Sequence, residues 1–342
     1  MMMKAIPVAE AVGMVLGHDV TMIVPGQHKG PAFKRGHIIR EDEISRFLDI
    51  GKEHVYVIDL SMGFVHEDEA AERIARAAAG PGIRLTKPSE GRVNMIAEYN
   101  GLLKVKPDAL AQLNGIGQIV FATLHTNQRV KANQAVSGTR VIPLVVKEQE
   151  VLEAENLCRK AFPLIQVKQF RSWKVGMVTT GSEVYSGRVK DAFGPVVEKK
   201  FQELGSTIIR QELTSDDVNM TVCSIKSLIQ DGAEMIVVTG GMSVDPDDRT
   251  PAAIKAAGGD VITYGAPTFP GAMFMLAYIG DIPVAGLPGC VMYHKASIFD
   301  LVIPRLLAGE TITRKDIEKM GHGGFCSGCS ECRYPVCGFG KC

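Results

Sequence analysis

No stretch of the 342 residues is apolar for long enough to span a bilayer, and the opening MMMKAIPVAEAV lacks the long apolar core and cleavage site of a secretory signal. The expectation is a cytoplasmic chain with no membrane partner. Net charge is missing too, since 38 lysines and arginines balance 38 aspartates and glutamates. With no global field, nothing draws the chain to nucleic acid or to an acidic membrane surface, and no nucleic-acid partner is expected. Cysteine is scarce over the first 325 residues, where only Cys158, Cys223 and Cys290 occur. A disulfide framework is not expected in such a chain. What is present is an ordinary globular composition, 46% hydrophobic and 22% charged, long enough for two or three domains with real cores.

Internal repeats and low-complexity tracts are absent, so organisation must be read from local pattern. Residues 1–85 suggest a small αβ unit. In it, residues 41–48 have helix spacing, Gly51 ends that helix, and residues 54–58 alternate like a strand. Residues 66–79, HEDEAAERIARAAA, read as a second helix with acids early and Arg73 and Arg76 late, complementing the helix dipole. Residues 86–171 suggest a β-rich domain of short runs such as GQIVFATLH and GTRVIPLVV, with a connecting helix over 147–159.

Residues 172–310 alternate strand and helix signals, predicting a three-layer αβα domain around a mostly parallel sheet, with the N-terminal αβ and β-rich regions as accessories. Strands are expected at 174–180, 206–213, 235–239, 274–279 and 282–285. Helices are expected at 194–204, after Ser215 as cap with Asp216 and Asp217 in the first turn, after Thr250 as cap with Pro251 in first position, and as one long element over 291–307.

If the sheet is parallel, three glycine-bearing loops leave one edge of it: TTGSEV at 179–184, GGMSVDPDD at 240–248 and GLPGC at 286–290. Strand-end loops of this kind let backbone N–H groups approach an anion, while hydroxyls and acids fix it. A single such loop is more often a plain turn, but three in register describe a site for a phosphate-bearing ligand. Cys290 has two readings, a thiol lowered in pKa at a helix mouth or a small buried residue at a tight turn. His294 reads as packing or as a cap.

These motifs, in this order, resemble the molybdopterin-binding domain family shared by molybdopterin adenylyltransferase and molybdopterin molybdenumtransferase. The resemblance rests on TTGSEV with Gly187 and Asp191 downstream, on Asp216 and Asp217 opening a helix, on GGMSVDPDDRTP and on GLPG. It implies a pocket for molybdopterin or its adenylated form, built from Thr180, Gly181, Ser182, Glu183, Asp191, Asp216, Asp217, Gly240, Gly241, Ser243, Asp245, Gly286, Pro288 and Gly289. The acid required for chemistry in the family falls eight residues after the first glycine of the turn, on Asp248. A carboxylate beside a phosphate repels it unless a divalent cation bridges them, so Asp248 reads as a group handling Mg²⁺ or molybdate. Asp247 and Asp248 also suit the start of the helix at Thr250.

The implied activity is Mg²⁺-assisted cleavage of adenylated molybdopterin with molybdate insertion. The alternative is a non-catalytic carrier or sensor that docks a molybdoenzyme or accessory protein, and nucleotide hydrolysis is a third reading. Two departures stand out. The lysine-bearing segment usual in the insertases is replaced by YGAPTFPGAMF at 264–274, and their aspartate-glycine-tyrosine segment has no counterpart in residues 1–147. By the same resemblance, a homo-oligomer is expected.

The remaining segment, 311–342, holds five of the eight cysteines at C-x2-C-x2-C-x4-C-x4-C. Cys326, Cys329, Cys332 and Cys337 suit one tetrahedral Zn²⁺, with an iron–sulfur cluster as the alternative and a redox-active disordered tail as the remaining reading. His322 is an alternative ligand, and the final residue, Cys342, the expected non-ligand.

Overall fold

The computed structural model describes residues 4–24, 28–58 and 63–341; Cys342 lies outside them. The chain forms two compact units, one of residues 1–99, 103–126 and 130–167, the other of residues 168–342 with the short segments 100–102 and 127–129.

In the first unit, strands Lys4–Pro7, His54–Ile58 and Val15–Leu16 form an antiparallel sheet, in the order first, last, middle along the chain. The helix Ile44–Asp49 buries Phe47 in the adjoining core, where the Phe33 and Phe47 rings stack at 3.9 Å between centroids. A second core lies under a four-stranded sheet of Ile119–Thr123, Ala135–Val141, Arg92–Ala97 and Ile83–Leu85. Helix Glu67–Ala78 presents Ala70, Ala71, Ile74 and Ala78 to that core, residues at the three-and-four spacing of one helix face. His66 caps it, its Nδ1 accepting from the Asp68 amide at 3.2 Å. Arg73, on the outer side, donates to Glu148 (2.9 Å) and Glu155 (3.0 Å) of helix Glu148–Lys160. A helix at Pro107–Leu113, started by its proline, interrupts the stretch 92–146 expected as short β-rich runs.

The second unit is built on a six-stranded sheet. Its strands are β1 (Lys174–Thr180), β2 (Thr207–Thr214), β3 (Met235–Thr239), β4 (Asp260–Tyr264), β5 (Met275–Ile279) and β6 (Ile282–Leu287), in spatial order β2-β1-β3-β6-β5-β4. The first four in space run parallel, β5 runs against them, and β4, antiparallel to β5, returns to their direction, with β5 and β6 forming a hairpin through Gly280 at φ +59°. Strand β4 is not among the expected strands. It lies on the sheet edge, where a partly exposed strand carries a weak apolar signal.

Because successive strand residues point to opposite faces, Met177 and Val237 pack on one side while Val178, Ile236 and Val238 pack on the other. Helices α1 (Phe193–Glu203) and α4 (Ile298–Leu307) cover the first face, and α2 (Val218–Gln230) and α3 (Thr250–Ala256) the second. The result is the three-layer αβα arrangement that the alternating pattern predicts. Each fully buried Leu or Phe in it contributes about 1.5–3 kcal/mol.

Three helix expectations are corrected. Asp217, not Ser215, caps α2, because its carboxylate reaches the Met220 amide at 2.8 Å. Thr250 is the first residue of α3 rather than its cap, and its hydroxyl turns back to the Gly240 carbonyl at 2.9 Å. The element expected over 291–307 is two helices, Cys290–Tyr293 and α4, because Ser297 and Asp300 form a capping box that starts α4 afresh.

After α4 the chain stays in the same core through Ile312, Ile317 and Met320, with a short helix Arg314–Glu318 between. There Arg305, nearly buried, donates to Glu310 (2.9 Å) and Asp316 (2.8 Å). Burial would raise the Asp316 carboxyl, but hydrogen bonds from Thr313 and Arg305 outweigh it and hold the group down at about 2. A depressed folded-state value stabilises the fold above the ordinary carboxylate range and is lost as pH falls from about 4 towards 2. Asp316→Asn should therefore cost on the order of 1–2 kcal/mol at neutral pH, allowing for its partial exposure. It should also flatten the loss of stability between pH 5 and about 2.5, read by urea unfolding at each pH.

No helix among the described residues is long and apolar enough to cross a membrane.

Candidate functional site

The parallel strands end level with one another. Thr180 pairs with Thr214, Thr179 with Thr239, and Thr239 with Leu287, so the loops after β1, β2, β3 and β6 leave the same edge. Parallel order makes that edge the carboxyl end of four strands, where ligands of open α/β sheets bind.

Beneath the loops lies a layer of buried threonines. The Thr239 hydroxyl donates to Thr179 Oγ1 (3.0 Å), the Thr180 hydroxyl to the Thr239 carbonyl (3.3 Å), and the Thr250 hydroxyl to the Gly240 carbonyl. The Thr250 amide donates to the Gly241 carbonyl at 3.1 Å. These bonds tie both ends of the loop between β3 and α3 to the sheet. Gly240 and Gly241 lie at φ +83° and +54°, and a Cβ on Gly240 would run into the Thr180 carbonyl oxygen. Only glycine lets the loop pass this close to β1.

The loop opens onto a cleft of about 530 Å³. One side is formed by Gly240, Gly241, Ser243 and Asp248, the other by Pro288 and Gly289 after β6, with Phe193, Phe269, Met273 and Leu287 supplying apolar walls. Asp248 is the one charged side chain among the described residues that line it. Its carboxylate accepts from the Asp245 amide (3.1 Å), and its own amide donates to the Asp245 carbonyl (2.9 Å), so the acidic loop is a closed turn. Asp245 itself is exposed.

The other residues singled out from sequence stand around the cleft rather than in its lining. Thr180 is buried beneath it, Gly181 follows β1, and Glu183 folds its carboxylate back over Gly181. Asp216 accepts from the Ser182 amide (3.0 Å) and hydroxyl (2.7 Å), joining the loops after β1 and β2. Asp217 is committed to the α2 cap. Asp191 accepts from the Phe193 (2.8 Å) and Gly194 (3.2 Å) amides at the start of α1, and from Gln211 (2.6 Å). Gly286 is inside β6, where a Cβ would meet Met242 Sδ at 2.6 Å.

Sequence reasoning missed Tyr264 and the aromatic walls. The Tyr264 hydroxyl, at the end of β4, stands 3.3 Å from the Met242 carbonyl and 3.4 Å from that of Ser243, steadying the loop from outside. Burial, and secondarily the Asp248 charge, raise its pKa and keep it a donor. Cys290 lines the cleft, but burial pushes its thiol above the ordinary value rather than below it. The helix that begins at it has only four residues, too short to offset that burial.

The cysteine tail also belongs to this unit. Cys326, Cys329, Cys332 and Cys337 all line one cavity of about 280 Å³, together with Tyr293, His294 and Lys295. They are not gathered into a ligand set. Among the described residues no group of three or more His, Cys, Asp or Glu side chains is close enough to hold a metal ion. Cys329 and Cys332 sit exposed on a segment with neither helix nor strand. His322 is exposed and outside that cavity, whereas His294, expected inside a helix, ends the short one before it and faces the cysteines.

Comparison with known proteins follows the same division of the chain. Residues 176–308 match the family model described as a probable molybdopterin binding domain, and residues 5–59 match a domain of unknown function. The second unit is thus similar to the molybdopterin-binding domain family whose motifs the sequence carries. Among curated relatives, the molybdopterin molybdenumtransferase of Bacillus subtilis (strain 168) is 22% identical over 194 residues, 52% of this chain and 45% of that protein. A CinA-like protein of Mycobacterium avium (strain 104) is 34% identical over 79 residues, 23% of this chain and 18% of that protein. The chain therefore spans less than half the length of these relatives. Among solved structures, the molybdopterin biosynthesis enzyme MoaB of Thermus thermophilus aligns at a TM-score of 0.33 and 16% identity, covering 40% of this chain and 98% of that one.

Proposed function

We propose that the cleft binds molybdopterin or its adenylated form, and that the chain acts in molybdenum cofactor synthesis by cleaving the adenylated form as molybdate is taken up. The observation that carries this reading is a single carboxylate, Asp248, set in a cleft with two positive-φ glycines on one side and aromatic rings on another. A planar pterin suits the walls formed by Phe193 and Phe269, and a phosphate suits the glycine backbone.

Asp248 would hold Mg²⁺ at the phosphate, with Asp245 beside it. A set of one or two carboxylates completed by substrate phosphates is the usual one for this ion. When bound, Mg²⁺ would neutralise the phosphate charge that Asp248 otherwise repels. The chain's own part is to orient. The threonine layer and the Tyr264 hydroxyl fix the loop that carries Asp248, and the apolar walls orient the ligand beside it. The reading also includes a cytoplasmic homo-oligomer, molybdate as co-substrate, and Zn²⁺ or an iron–sulfur cluster at the cysteine tail.

One observation favours the carrier reading. No lysine or arginine is among the described residues lining the cleft, so no side chain there complements a phosphoryl group during bond breaking. Anaerobic incubation with adenylated molybdopterin, Mg²⁺ and molybdate separates the two. Molybdate-dependent AMP release is the expected result. Tight binding with no AMP release would make the chain a carrier or sensor, and turnover of free ATP without pterin would make it a nucleotide hydrolase.

A further inference from the structure

The cleft and the cysteine cavity share two walls. One is the segment from Cys290, which lines the cleft, to Tyr293, His294 and Lys295, which line the cysteine cavity. The other is a parallel β-bridge between Phe269 and Phe325, in which the Phe269 amide donates to the Gly324 carbonyl and the Cys326 amide to the Phe269 carbonyl, both at 2.8 Å. Phe269 lines the cleft, and the Phe325 ring lies 6.3 Å from it, between centroids. Both rings are largely exposed, 58% and 76%, which is a cost unless something covers them.

The cysteine loop is tied at both ends and once between Cys332 and Cys337. The Gly340 amide donates to the Gly323 carbonyl (2.9 Å), Phe339 is buried, and the Tyr334 hydroxyl donates to the Asp300 carbonyl of α4 (2.8 Å). Between these ties there is no helix or strand, and Gly328 takes φ +64°. Of the four thiols around this one small cavity, Cys326 is anchored by the bridge, and Cys329, Cys332 and Cys337 lie on a segment without a strand ladder, so they can converge on it without breaking secondary structure.

Resting on the pterin reading of the cleft, we infer that Cys326, Cys329, Cys332 and Cys337 close around one thiophilic metal centre and that the loaded loop sets the cleft rim through the Phe269–Phe325 bridge. Metal loading then orders the rim over the ligand. Ligation is coupled to folding because four thiols release their protons to bind the metal as thiolates and fix the loop that bears them.

The test uses the full chain, purified anaerobically after growth with zinc and iron. Metal and acid-labile sulfide analysis should find about one Zn²⁺ per chain, or about four irons with four sulfides. The double variant Cys329→Ser/Cys332→Ser should lose that metal. Metal well below stoichiometric in the wild type even after reconstitution, or retained in full by the double variant, overturns the site. Molybdopterin affinity is then measured in loaded, chelator-stripped and reloaded wild type, which avoids relying on a variant that fails to fold. Stripping should weaken it by about five- to tenfold and reloading restore it, as two coupled sites require. Phe325→Ala should weaken it similarly with metal still bound. Unchanged affinity on stripping overturns the coupling. No molybdopterin binding in any state, with metal in place, overturns the cleft reading and the rim with it but leaves the metal site standing.

Discussion

Asp248→Asn should lower molybdate-dependent AMP release by about a hundredfold or more, the scale of removing one preorganised charge from a reacting phosphoryl group. The fold should hardly notice. Asparagine keeps an oxygen that can accept from the Asp245 amide, so the closed turn survives, and the half-buried side chain forms no ion pair with a described residue whose loss would cost stability. Urea unfolding should shift by no more than about 0.5 kcal/mol. Molybdopterin affinity without Mg²⁺ should move the other way and tighten, because a neutral amide no longer repels the ligand phosphate. With Mg²⁺ present the gain should vanish or reverse. A variant that binds and releases AMP like the wild type would remove Asp248 from the chemistry and leave its carboxylate as a turn former. A wild type that binds but never turns over, with the same Mg²⁺-dependent affinity pattern, would fit a carrier whose acid serves only to hold the cation.

How much of this was open to a reader of the sequence depends on the range of the interaction. The glycine loops and Asp248 were legible because a strand ending in Gly-Gly followed eight residues later by an acid is a local pattern, and the register of β1, β3 and β6 does bring those loops to one edge. The aromatic walls were not. Phe193 opens α1 while Phe269 and Met273 share the connection between β4 and β5, and nothing near Phe269 in sequence says that it will face Gly240. In sequence the segment 264–274 stands out only for a missing lysine, while in the fold it contributes Tyr264 against the Ser243 carbonyl and Phe269 in the cleft.

Local competition explains other differences. Ser215 and Asp217 both suit an N-cap, and the choice fell to Asp217 because its carboxylate meets the Met220 amide while the Ser215 hydroxyl lies beside Met220 Sδ at 3.7 Å. The break before α4 did carry a signal, Ser297 followed three residues later by Asp300, but it sat inside a run whose apolar composition reads as one helix. The cysteine tail is the reverse case, in which spacing speaks for a ligand set and the described side chains share a cavity without forming one.

Two glycines on opposite sides of the cleft should respond differently to the same added methyl group, and the contrast tests whether the loops act as a binding surface. Gly240→Ala places a Cβ on the Thr180 carbonyl oxygen, which is backbone in the sheet and cannot move aside, at a φ that L residues rarely adopt. The variant should lose about 2–4 kcal/mol and, with the loop displaced, most of its molybdopterin affinity. Gly289→Ala meets nothing within 4 Å, and Gly289 already has the helical φ of −52° and ψ of −28°. Its stability should stay within about 0.5 kcal/mol of the wild type. Since Gly289 lines the cleft, its new methyl group should nevertheless weaken binding by about tenfold through steric exclusion of the ligand. Equilibrium unfolding and molybdopterin titration on both variants read the two effects separately. Normal affinity in Gly289→Ala would mean that the ligand sits on the β3 side alone, and normal affinity in a destabilised Gly240→Ala would remove the glycine turn from recognition altogether.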